Sequence, residues 1–224
     1  MKWNRKLIQR LIPEKETNSD FVSSYILEIN GLNMTSFFTS LKQKIFGKKD
    51  MKAARLVSVR KLAPMIFSEP GKLLYVGARH DRMDFGDELR EAGNEFTILE
   101  IYEPNVKHLT EVCPWATVIQ GDVRSLENFS ENQFDYAFWW HGPEHIKEEE
   151  IPEALKGLEK ITKKAVILGA PWGVYPQHHL HGNPHEEHEA SLYEHHFVDL
   201  GYEVEAIGVI DKIGSNLTAV KYLQ

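Results

Sequence analysis

The residues best placed to do chemistry in this chain are a glycine and a carboxylate. Lys72-Leu-Leu-Tyr-Val-Gly77 is an apolar run that stops at a glycine turn. Twenty-three positions later, Phe96-Thr-Ile-Leu-Glu100 ends a second apolar run on an acid. Read as strand, turn, helix and strand, the two fall side by side at the carboxyl edge of a parallel sheet. There a carboxylate can accept hydrogen bonds from the ribose hydroxyls of a nucleoside. The turn departs from G-x-G-x-x-G, because Gly77 is followed by Ala78, Arg79, His80 and Asp81.

Histidine supplies the second candidate chemistry. Nine of the 11 histidines fall between 141 and 196, and His178, His179, His181, His185 and His188 crowd one polar stretch. His185 and His188, three apart, could share a helical face near Glu189, and imidazole with carboxylate suits zinc, nickel or ferrous iron. The spacing matches no strong motif such as H-E-x-x-H. The stretch reads as an exposed polar loop, and no metal ligand is assigned in it.

Positioning these groups requires an alternation of strands and helices. Strands are expected at 72–77, 95–100, 116–120, 134–140 and 164–169, with helices near 82–92, 104–112 and 147–160. After Pro171 a helix near 188–200 closes at Gly201. Two last strands, 203–210 and 217–222, are joined by a short turn, so the final strand should run antiparallel to its neighbour. The fold class is α/β, a doubly wound, mostly parallel seven-stranded sheet ending in an antiparallel hairpin. Residues 67–224 make the Rossmann-like cofactor-binding domain. Residues 1–66 form a basic, mainly helical N-terminal extension, with helices around 35–46 and 51–66.

Charge sets that extension apart. Residues 1–66 carry 13 Lys/Arg and 5 Asp/Glu, a balance of +8, against −15 for the remainder. A basic arm can dock on an acidic body or meet an anionic partner. The apolar face of Leu7, Ile8, Leu11 and Ile12 among Lys2, Arg5, Lys6 and Arg10 suggests peripheral membrane contact. Nucleic acid is disfavoured by the acidic body and by the lack of interleaved aromatic and basic residues. A single cysteine, Cys113, excludes an intrachain disulfide. With no long apolar run at the start, a cytoplasmic location is expected.

The ordered set Leu-Tyr-Val-Gly77, Leu-Glu100, Gln-Gly-Asp122-Val, Gln-Phe-Asp135-Tyr-Ala-Phe and Pro-Glu144-His145-Ile, followed by the terminal hairpin, resembles the class I S-adenosylmethionine-dependent methyltransferases. The resemblance spans 71–222. It implies S-adenosylmethionine as cofactor and methyl transfer to a small-molecule, lipid-linked or saccharide acceptor. It also implies a cofactor pocket running through Val76, Gly77, Ala78, Arg79, Glu100, Ile101, Asp122, Val123, Trp140 and His141. In this mapping Glu100 holds the ribose, Asp122 meets the adenine amino group, and Trp140, His141 and Gly142 face the methyl end. Where the family usually has an acid two places before its first glycine, this chain has Tyr75. Arg79 stands in place of a second glycine and should turn outward to a carboxylate such as Asp81 or Asp84, away from a sulfonium.

A sulfonium is an activated donor, so alignment supplies much of the acceleration, and a base is needed only for a hydroxyl or protonated amine. His141, after the fourth strand, is the first candidate for catalytic base, and His188, in the loop after Pro171, the second. Asp135 reads as structural, while Glu144 could cap a helix starting near Ile146 and His145 could simply pack. Two other functions share parts of this pattern. One is a non-catalytic, degenerate nucleoside-binding module with a histidine-rich metal loop. The other is a nicotinamide-dependent oxidoreductase, which would leave the terminal hairpin unexplained.

Overall fold

The structure is a computed structural model that describes residues 51–79, 83–180, 182–208 and 215–223. The readings made for residues 1–50, Asp81 and His181 lie outside the described residues. Seven strands form one sheet: β1 Lys72–Val76, β2 Glu95–Glu100, β3 Thr117–Gln120, β4 Phe134–Trp140, β5 Thr162–Pro171, β6 Glu203–Ile207 and β7 Asn216–Tyr222. Their order is β3-β2-β1-β4-β5-β7-β6. The pairs β1–β2, β2–β3, β1–β4 and β4–β5 are parallel, whereas β7 runs antiparallel to both β5 and β6.

The strands read as near-continuous apolar runs because both sheet faces are covered. Side chains alternate across the sheet. Leu74, Val76, Ala137, Trp139, Val166 and Leu168 join one core with Leu155, Leu158 and Phe197. Leu73, Tyr75, Tyr136, Phe138, Trp140 and Ile167 join the other with Val59, Leu62, Ala63, Ile66 and Leu89. Residues 51–62 are helical and pack on this second face with the short helix Met65–Ser68. Helix Ile151–Ile161 covers the first face, burying Ile151, Ala154, Leu155, Leu158 and Ile161 at the spacing of a single helical stripe.

Two helices begin or end away from their expected places. The one expected at 82–92 is helical over Gly86–Glu91, entered through Phe85 in the left-handed region at φ 61°. The helix expected near 188–200 shrinks to His195–Val198. Local amphipathicity loses there to longer-range pairing: the amides of Glu189 and Ala190 donate to the carbonyl of Glu144 at 2.9 and 3.2 Å, and that of Gly173 donates to Leu192. The Leu192 carbonyl, which a helix would offer to the amide of His196, is spent on Gly173, and that of His196 donates to Tyr193 instead.

Asp135 anchors the sheet start, its Oδ2 accepting from the Lys72 amide at 2.8 Å. Near the other end, a Cβ on Gly169 of β5 would lie 2.3 Å from the Trp140 ring. Trp140 is stacked on Phe138 and edge-on to Phe85, contacts that a shift of the ring would disturb. Gly169→Ala should therefore cost about 1 to 3 kcal/mol by overpacking, measurable as a lowered denaturation midpoint. A midpoint equal to the parent's would show that the ring can shift.

Candidate functional site

The strand order reverses between β1 and β4, and in such sheets ligands sit in the crevice beyond the carboxyl ends of the strands at that point. A cavity of about 250 Å³ lies there, walled by the residues that follow β1, β2, β3 and β4 and by the loop after β5. Of the ten cofactor residues expected from sequence, nine line it. Ala78 is fully buried behind the turn.

Gly77 turns the chain at φ 77°, its amide donating to the Leu99 carbonyl at 2.9 Å. A Cβ at this glycine would meet nothing within 4 Å, so its backbone faces open space that the edge of a ligand can fill. Glu100 stands opposite at the end of β2, only 5% exposed. Its Oε1 accepts from the Tyr102 amide at 2.9 Å, with Asn105 Nδ2 at 3.5 Å. Burial pushes its carboxyl up to about 7 against these hydrogen bonds, and the negative Glu186 nearby adds to the rise. A hydroxyl donor entering the cavity would favour the charged form, so the pair Gly77 and Glu100 fits a ribose. The indole Nε1–H of Trp140, buried in the wall, has no hydrogen-bond partner among the described residues.

Arg79 does meet a carboxylate, and it is one the sequence reading did not consider: its Nη1 lies 3.4 Å from Glu186 Oε2, on the loop after β5. Asp122 sits in the wall after β3 with its carboxylate held by Arg124, whose Nη2 and Nε approach to 2.7 and 3.0 Å. Burial alone would raise Asp122, but the Arg124 hydrogen bonds outweigh it and leave the carboxyl below its ordinary range.

At the end of β4 the backbone is strained. His141 takes φ 51°, sparsely populated for a residue with a Cβ, and its amide donates to the Gly169 carbonyl at 2.7 Å. Its Nδ1 lies 3.1 Å from Glu144 Oε1. Glu144 is 2% exposed in the turn Pro143–His145, and burial raises its carboxyl. The capping role read for Glu144 is corrected: its side chain serves His141, and the helix beyond starts only at Ile151 after a separate turn, Glu148–Glu150. His145 is likewise more than packing. Its Nδ1 meets the Glu187 carbonyl at 3.0 Å, and its ring stands edge-on to that of His188, 4.8 Å between centroids. His188 in turn bonds through Nδ1 to the Tyr175 carbonyl at 2.7 Å.

The histidine stretch is thus split by the fold. His188 and His185 reach the cavity wall, while His178 and His179 lie outward against Glu187. His185 and Glu189 do not share a helical face with His188, because only Pro184–Glu186 forms a single 3-10 turn there. Arg55, Tyr175, Gln177 and Glu186 also line the cavity. No local pattern marked them, since three lie in the long connection after β5 and Arg55 in a helix before the first strand.

No family model and no curated relative matches the chain. Solved structures do. A Pyrococcus horikoshii OT3 protein superposes with a TM-score of 0.57 at 16% identity, over 81% of this chain and 97% of its own. A SAM-dependent methyltransferase from Archaeoglobus fulgidus gives 0.54 at 14% identity, over 83% and 99%. The N-methyltransferase NodS from Bradyrhizobium japonicum WM9 gives 0.56 at 11%, over 79% and 98%. With its crevice at the β1/β4 reversal and its antiparallel β7, the chain has the fold of the class I S-adenosylmethionine-dependent methyltransferases.

Proposed function

We propose that this protein is an S-adenosylmethionine-dependent methyltransferase acting on a hydroxyl of a small-molecule, lipid-linked or saccharide acceptor. The observation that carries the reading is the buried Glu100 beside the open Gly77 turn, in one cavity with the His141 and Glu144 pair. Val76, Gly77, Glu100, Ile101, Asp122 and Val123 would hold the nucleoside half, and Trp140 and His141 would face the methyl end. Bound there, S-adenosylmethionine supplies an electrophilic methyl group on a sulfonium. Glu100 binds the ribose diol, and Arg79, held by Glu186, keeps its charge from the sulfonium side. Glu144 accepts from His141 Nδ1–H, which fixes the ring tautomer and leaves Nε2 as the ring's basic nitrogen.

Calorimetry tests this directly. S-adenosylhomocysteine should bind one per chain, with nicotinamide dinucleotides giving no heat above dilution. Dinucleotide binding without S-adenosylhomocysteine binding would replace the reading with an oxidoreductase. The fold is neutral on that choice at the nucleoside end, because an acid after β2 can hold either ribose.

A further inference from the structure

Glu144, His145 and His188 bring one coordinating atom each to within 4.8 Å of one another. They come from two places in the chain, and backbone bonds fix their spacing. The Glu144 carbonyl accepts from the amides of Glu189 and Ala190, which pins the His188 segment onto the Pro143–His145 turn. Both imidazoles are already oriented. Each bonds through Nδ1 to a backbone carbonyl, Glu187 for His145 and Tyr175 for His188. A carbonyl only accepts, so Nδ1 carries the proton in each ring and Nε2 keeps a lone pair, the state in which a histidine binds metal.

The carboxylate is poised in the same way. Glu144 Oε1 is taken by His141, whereas Oε2 is buried and has no hydrogen-bond partner among the described residues. The Arg55 guanidinium, which lines the same cavity, offsets part of the Glu144 charge, and a cation held among the carboxylate and the two imidazoles would give Oε2 the partner that burial otherwise makes costly to lack.

We propose that Glu144, His145 and His188 form a three-ligand site for a divalent first-row transition metal, of the zinc class, with its open positions facing the cavity. Two histidines and a glutamate are a ligand set for such ions, and catalytic sites of this kind leave a position for an exogenous oxygen. The three residues all line the cavity next to His141, so that oxygen would be the acceptor hydroxyl. This role, unlike the metal site itself, rests on the methyltransferase reading. The metal-bound hydroxyl would lose its proton to His141 Nε2. Its oxygen would then form a bond to the methyl carbon as the carbon–sulfur bond breaks. The electron pair stays on sulfur, S-adenosylhomocysteine leaves, and His141 returns its proton to water.

The test uses the full chain stripped with a chelator and titrated with Zn²⁺ by calorimetry, with Co²⁺ absorption reporting ligand geometry. One Zn²⁺ per chain should bind. His188→Ala should weaken binding at least 10²-fold and Glu144→Gln at least tenfold, while the double variant His178→Ala, His179→Ala should bind as the parent does. S-adenosylhomocysteine binding by each variant confirms folding, and His188→Ala, at a partly exposed loop position, carries the result should Glu144→Gln fail to fold. Binding abolished by the outer pair but retained in His188→Ala would overturn the site, as would absence of stoichiometric binding in the parent. Zn²⁺ binding without S-adenosylhomocysteine binding would keep the site and remove the methyltransferase reading; the reverse result would do the opposite.

Discussion

Replacing Glu100 by alanine should weaken S-adenosylhomocysteine binding at least tenfold at pH 8, because the ribose hydroxyls lose a charged acceptor worth about 1.5 to 3 kcal/mol per bond. The same carboxyl makes binding depend on pH. Held at about 7 in the free protein, it is largely protonated at pH 6, and a diol binds best to the charged form. Affinity should therefore rise as pH climbs through 7 and level off above it, with a proton released on binding. A folded Glu100→Ala protein with the parent's dissociation constant at pH 8 would remove the ribose assignment.

Stability supplies an independent readout of the same group. The folded state keeps a proton on Glu100 that the unfolded chain releases above its ordinary value of 4.5. The stability tied to that proton is fully present below pH 4.5 and is lost as pH rises through about 7. Glu100→Gln removes the loss. The variant should match the parent near pH 4 and exceed it at pH 8 by up to about 3 kcal/mol, at roughly 1.4 kcal/mol per unit. Chemical denaturation at the two pH values measures the difference, and equal gains at both would mean that burial of Glu100 is not what raises it.

His141→Ala should lower turnover about 10²-fold with cofactor affinity nearly unchanged, as loss of a positioned base does. The parent's rate should fall on the acid side with the uptake of one proton at the base, and the variant should lose that limb. His188→Ala should also lose turnover, but together with bound metal, whereas His141→Ala should keep its Zn²⁺. Glu144→Gln keeps a hydrogen-bond acceptor for His141 while removing charge, so its loss should lie between the two. If His141→Ala retains the acid limb, another group takes the proton.

Which parts of this were legible in the chain follows from the range of the forces involved. Strand β1 and its turn could be read because burial on both faces demands an unbroken apolar run, and a φ of 77° demands glycine, both of them local requirements. Glu100 was legible for the same reason, as the acid on which the apolar run of β2 ends. The antiparallel hairpin was implied by the short connection between its strands. Tertiary structure alone decided the rest. Glu144 looked like a helix cap, His145 like a packing residue and His188 like one of a run of loop histidines. What joins them is the pairing of the Glu189 and Ala190 amides with a carbonyl 45 and 46 residues earlier, which has no local signature. The same long-range pairing unwound the helix expected from 188 and carried Glu186 to Arg79. Sequence determined the sheet and the acid at its edge, since those rest on residue type within a few positions. The cluster of Glu144, His145 and His188 rests on loop backbone bonds between distant segments, and only the folded chain brings those segments together.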